Sequence, residues 1–184
     1  MKLKAAVVDS AVMLGLDEVV AALESDETPT GDVADEINRL VRCANLVAGE
    51  LASDLMPLKT REKLTFSPSA AYTAFSHAPI DIYSVTDERG NAVRFREFFD
   101  RAEVSENGDY EVEYSYAPAA AGLDDEMPYP ALPPFVLAQG IAREYCVISG
   151  MTEEASVWDQ RFNASVAARV RPKKEVRVRR RAWV

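Results

Sequence analysis

The hydrophobic period of this chain changes twice. It runs at three to four residues up to about Leu55, falls to two between Arg61 and Pro118, and returns to three to four from Phe135. Neither helical flank alone has enough apolar partners to bury its own stripe. The two flanks must therefore share one core, with the strand segment inserted between them. The expected fold is α+β: a helical bundle with an inserted small antiparallel β-sheet and an extended basic C-terminal tail. By number, the N-terminal helices occupy 1–60, the inserted β region 61–118, the C-terminal helices 119–170 and the tail 171–184.

The first helical stretch, Leu3 to Glu24, carries Val7, Val8, Val12, Leu16, Val19, Val20 and Leu23 at helical steps, with Gly15 able to split it in two. A second helix starts at Asp32, a good N-cap with Asp35 and Glu36 behind it, and runs to Leu55 before Pro57 ends it. Strand-like runs follow at Lys63–Phe66, Ala71–Phe75, Ile80–Val85, Ala92–Phe95 and Tyr110–Tyr114. Asp87–Asn91 reads as one hairpin turn, and Asn107-Gly108 as another of type I′. The 118–134 stretch, rich in Pro, Ala and acids, reads as a linker. Pro133-Pro134 opens a helix with Phe135, Leu137, Ala138, Ile141, Ala142, Tyr145, Cys146 and Ile148 on its apolar face, and Gly150 closes it. Thr152 caps a last helix whose stripe is Ala155, Trp158, Phe162 and Val166.

Charge is unevenly spread. From Arg169 onward there are eight basic residues and one acid, a net +7, which leaves −16 on residues 1–168 out of a total of −9. An acidic body with a basic tail can attract copies of itself, an acidic partner or nucleic acid. Direct nucleic-acid binding is the weaker reading, because the body repels phosphate and the basic run has no interleaved aromatics for stacking. Asp9 breaks the early apolar stretch too soon for an export signal, and no apolar run is long enough to span a bilayer, so a cytoplasmic product without membrane association is expected.

Chemistry-bearing motifs are scarce. His77 is the only histidine and has no partner at ligand or triad spacing; Cys43 and Cys146 sit in helical patterns and read as buried free thiols. No phosphate loop, nucleophile elbow or metal-binding helix motif occurs. No catalytic, cofactor-binding or metal-binding residue is expected, and no cofactor. The candidate partner-binding residues are Arg177, Arg179, Arg180, Arg181 and Trp183: an aromatic beside arginines is a frequent hot-spot composition, although a solvated tail fits the same residues. Val176-Arg177-Val178-Arg179 alternates, so it could also add as a strand to a sheet edge, in this subunit or a neighbour.

The order of parts resembles the head-to-tail adaptor (connector) proteins of tailed bacteriophages and related gene transfer agents. The resemblance is carried by the Val33–Leu55 helix, the 82–90 motif ending in Asp87-Glu88-Arg89-Gly90, and the 110–116 strand. It continues through the helix pair around 150–158 and the terminal Arg179-Arg180-Arg181-Ala182-Trp183. It implies a ring, expected to be dodecameric, of neighbouring adaptor copies beneath a portal protein. The ring would extend the DNA channel, dock the downstream neck or tail protein, and let DNA pass without specific binding. It also implies assembly in the host cytoplasm and residence in the virion neck. Another neck component (a stopper or tail-completion protein) and a small nucleic-acid-binding regulatory protein remain as alternatives.

Overall fold

Helices from both sides of the strand segment bury their stripes in one core in the computed structural model, which describes residues 1–25 and 28–170. Leu3 and Val7 of α1 (Leu3–Leu14), Leu40 and Val47 of α3 (Gly31–Glu50), Leu137 and Ile141 of α4 (Pro134–Ile148) and Phe162 of α5 (Thr152–Val170) are all fully buried there. The short helix α2 (Asp17–Glu24) adds Val19 and Leu23. The fold is α+β, with a helical body and an antiparallel β module with its own small core.

Local chemistry explains the breaks between helices. Gly15 at φ +69° ends α1, and the Leu16 N–H donates back to the Ala11 carbonyl, a six-to-one closure that satisfies an otherwise orphaned acceptor. Gly150 at φ +76° closes α4 in the same way, with Met151 N–H donating to Cys146. Gly140 serves a different purpose. A Cβ built there would lie 2.7 Å from Val47 Cγ1 and 3.0 Å from the Phe162 ring, so α3, α4 and α5 meet where only a hydrogen fits. After Glu50 the third helix widens into a π turn, Leu51–Leu55, that keeps Leu51 and Ala52 buried before Pro57.

Among the described residues seven strands form two antiparallel sheets rather than the one expected. The larger has the order β1 (Leu58–Phe66), β7 (Gly108–Tyr116), β3 (Pro79–Thr86), β4 (Ala92–Val93); the smaller is β2 (Ser69–Ala71), β6 (Arg101–Val104), β5 (Phe95–Glu97). On the solvent side of the β1–β7 pair, Arg61 and Lys63 stand opposite Glu113 and Glu111, and Arg61 Nε donates to Glu113 at 2.8 Å. Opposite charges directly across a ladder favour this register. The Asp87–Asn91 turn joins β3 to β4 as expected, its backbone held by the Asp87 carboxylate.

Several expectations are corrected. Asn107-Gly108 is not a type I′ turn: neither residue has positive φ, and the segment carries the chain from the smaller sheet to the larger. Of the expected Ala71–Phe75 strand only Ala71 is in a strand, at the end of β2, because Tyr72–Ala74 coils into a 3₁₀ turn. Asp32 lies inside the first turn of α3, with Thr30 as its N-cap, and α5 opens on the Met151 carbonyl rather than on a Thr152 cap. Trp158 is only half-buried, whereas Ala155, Phe162 and Val166 of its stripe are buried. Val12, Phe135 and Ile148 are exposed, since each lies off the face that its helix turns inward.

The 118–134 stretch is more than a linker. Asn45 clasps Ala121 through both backbone groups, at 2.7 and 3.0 Å, and Leu3 and Lys4 donate to the Asp125 and Leu123 carbonyls at 2.9 Å. Met127, Tyr129 and Leu132 then enter the helical core, and the Tyr129 hydroxyl donates to Ala48. Burial pushes that phenol well above its ordinary pKa, so it remains a neutral donor.

Candidate functional site

Three groups of side chains stand out on this scaffold. The first is the tip of the β5–β6 hairpin. Phe98 N–H donates to the Arg101 carbonyl at 2.8 Å, which closes the hairpin and leaves Phe99 96% exposed at its apex. Phe98 lies under the Arg101 guanidinium, 4.7 Å from ring centre to Cζ, and that guanidinium is also paired to Asp100 and Glu103. The braced backbone holds the exposed Phe99 ring out into solvent at a fixed place on the β module.

Sequence reasoning missed that tip. Its signal was present in the adjacent aromatics Phe98-Phe99. Both rings fall in the charged run Arg96-Glu97-Phe98-Phe99-Asp100-Arg101, which offers no apolar stripe for them to join.

The second group centres on Glu62 of β1. Its carboxylate accepts from Ser76 Oγ, from the Ser76 N–H at 3.0 Å and from the Tyr114 hydroxyl at 2.7 Å. Burial opposes the charged form, but the hydrogen bonds from Ser76 and Tyr114 outweigh it and hold this carboxyl below its ordinary value. Burial, reinforced by the bond to Glu62, pushes the Tyr114 phenol up to about 12. A carboxylate held low is a weak base, so the arrangement suits pinning the 72–76 turn to the sheet better than proton abstraction. His77, the expected non-catalytic histidine, stacks on Tyr116 with ring centres 4.3 Å apart.

The third group ties the helices together. Arg143 of α4 is 11% exposed and pairs with Glu50 of α3, with Glu144 at 2.8 Å and with Asp159 of α5 at 3.2 Å, while its Cζ lies 5.0 Å from the Phe162 ring centre. Burial works against its charge, but the hydrogen bond to Glu50 and the surrounding carboxylates hold it firmly protonated. Cys43 and Cys146 are buried free thiols as expected, the former pushed up to about 11 by burial and the nearby Glu144.

The expected partner-binding residues Arg177, Arg179, Arg180, Arg181 and Trp183 lie outside the described residues, as does the proposed strand addition of 176–179. Among the described residues no group of three or more His, Cys, Asp or Glu side chains is placed to hold a metal ion, and no helix is long and apolar enough to cross a membrane. No protein-family model matches the chain, and no curated protein matches it either.

Proposed function

We propose that this chain is a structural head-to-tail adaptor subunit, not an enzyme, which assembles as a ring beneath a portal protein and docks the next neck or tail component. The observation that carries the reading is the projecting Phe98-Phe99 tip on a β module inserted into a helical body. A subunit that must touch several neighbours at once needs rigid projections, and here the hairpin supplies one outside the helical core. The charge distribution supports the same reading. A net −16 on residues 1–168 lets a DNA polyanion slide past a channel wall without sticking, while the +7 segment from Arg169 offers attraction to a neighbouring subunit or a portal.

In this account the helical bundle is the rigid frame and the Arg143 node keeps α3, α4 and α5 in fixed relation. The β hairpin and the 169–184 segment are the contact elements. The test is to mix the purified full chain with its portal and image the product by electron microscopy. A ring of adaptor copies on one face of the portal is expected. A protein that stays monomeric and unbound at all concentrations would sink the proposal.

A further inference from the structure

Among the described residues the two sheets have four edges, and only one of them is built to accept a further strand. β4 lines its edge with two residues, and the part of β3 beyond it starts on Pro79 and carries two register shifts against β7. β2 and β5, the edges of the smaller sheet, are three residues each. Short strands, prolines and bulges are the devices that keep an edge unpaired. β1 has none of them. Its nine residues pair with β7 in unbroken register, and among the described residues no backbone group bonds to its other side. A strand of that length turns about four N–H groups outward, each with a carbonyl beside it.

The side chains of β1 define what an added strand must carry. Lys59, Arg61, Lys63 and Thr65 are exposed on one face, and Leu58, Thr60, Glu62 and Leu64 are half-buried on the other. On the β7 side the cations already meet acids, with Arg61 opposite Glu113 and Lys63 opposite Glu111. Arg61 is paired to Glu113, whereas Lys59 and Lys63 have no carboxylate partner among the described residues. Lys59 rests 3.8 Å over the Tyr83 ring instead. A strand outside β1 would meet the same row from the other side. Acids at every second position would extend the acid–base alternation by one strand, because opposite charges across a ladder attract and like charges repel. Apolar residues between those acids would fall on the other face and cover Leu64, at the margin of the sheet core. The cation row also disfavours two other occupants. A second β1 with the same face outward would set cations against cations, and the 171–184 sequence, with seven basic residues and one acid, carries the same sign as the row.

We propose that the outer edge of β1, residues 58–65, accepts an extended strand of another protein, with acids at alternate positions and apolar residues between them. The partner's backbone completes the ladder, and its acids face Lys59, Arg61 and Lys63. This contact goes beyond the adaptor reading and does not depend on it.

The probe is a labelled peptide matched to the nine residues of β1, alternating glutamate and valine, added to the full chain at low salt and followed by fluorescence anisotropy. Saturable binding is expected, at least about tenfold tighter than that of a peptide of the same composition with its glutamates in one block. Lys59→Glu with Lys63→Glu should lose the glutamate peptide and gain one that alternates lysine and valine, with circular dichroism confirming the fold. Lys63→Gln, a single exposed change, should weaken binding by a smaller factor. Amide exchange read residue by residue by NMR tests the ladder itself. In the free chain alternate amides of 58–65 should exchange as unpaired groups, and the peptide should slow them. Equal binding of the two glutamate peptides would mean attraction of a polyanion without a ladder and would overturn the proposal. Alternate amides already protected in the dilute free chain would overturn it as well, since the chain itself would then hold the edge, and so would the absence of saturable binding.

Discussion

Gly140→Ala sets two physical effects of opposite sign against each other. Gly140 lies inside α4, where replacing glycine by alanine favours the helix by about 1 kcal/mol. The new methyl, however, would sit 2.7 Å from Val47 Cγ1 and 3.0 and 3.2 Å from two Phe162 ring carbons, well inside the roughly 3.5–4.0 Å of a relaxed carbon contact. Val47 and Phe162 are fully buried, so neither can swing into solvent. Overpacking of this kind typically costs about 1–3 kcal/mol, and here three helices must part to relieve it, so we place it at the upper end. The net expectation is a loss of about 1–2 kcal/mol, or a fall in Tm of roughly 2–8 °C for a chain of this size. Urea and thermal unfolding of the two proteins measure it directly. The same substitution should be less harmful in a Val47→Ala background, because that change removes the closest clashing atom. An increase in Tm on Gly140→Ala would show that helix propensity governs the site and that the three-helix crossing is looser than described.

Three other outcomes follow from the packing and the hydrogen bonds. Phe162→Ala should cost about 3–5 kcal/mol, as for a fully buried aromatic, while Trp158→Ala at its half-buried position should cost only about 1, both read from chemical denaturation. Glu62 has a depressed pKa, so its stabilising contribution is present above the ordinary carboxyl value of 4.5 and is lost as pH falls through the lower folded value. The stability gap between the parent and Glu62→Gln should accordingly be full at neutral pH and shrink on acidification, and a gap that is constant between pH 7 and pH 3 would contradict the role assigned to the charge. Phe99→Ser should leave unfolding within about 0.5 kcal/mol of the parent and weaken assembly with the portal, measured by light scattering.

The α+β pattern could be read from the sequence because the change of period is a direct consequence of geometry: Ile37, Leu40, Ala44, Val47 and Leu51 can share one face only on a helix. What could not be read is set by contacts between distant residues. The division into two sheets depends on which edge β6 pairs with, and short strands such as Arg101–Val104 carry too few residues to signal a partner. Asn107-Gly108 has the right residues for a tight turn, but the flanking strands belong to different sheets, so the local preference was overridden. The 118–134 stretch looked like a linker because its bonds to Asn45, Leu3 and Lys4 connect residues far apart in sequence. Trp158 differs for a simpler reason: α5 buries a narrow stripe through Ala155, Phe162 and Val166, and the indole beside that stripe stays partly exposed with the Arg161 guanidinium 4.9 Å over its ring. The basic cluster at 177–181 and Trp183 were legible as composition, and the exposed Phe98-Phe99 pair was legible only as two aromatics in a charged run with no apolar stripe to join.

The central claim is that residues 172–184 dock the subunit onto a portal, and the most direct measurement compares portal and DNA affinities of the full chain and of the same chain lacking those residues. Residues 172–184 carry no amphipathic pattern that would tie them to the core, so circular dichroism should show the truncated protein folded. The account predicts that portal binding is abolished, that Trp183→Ala alone costs at least about 1–2 kcal/mol of it, and that replacing a single arginine costs less. Unchanged portal affinity, with weakened DNA binding and a reduced salt slope instead, would contradict the adaptor account and favour a nucleic-acid-binding role.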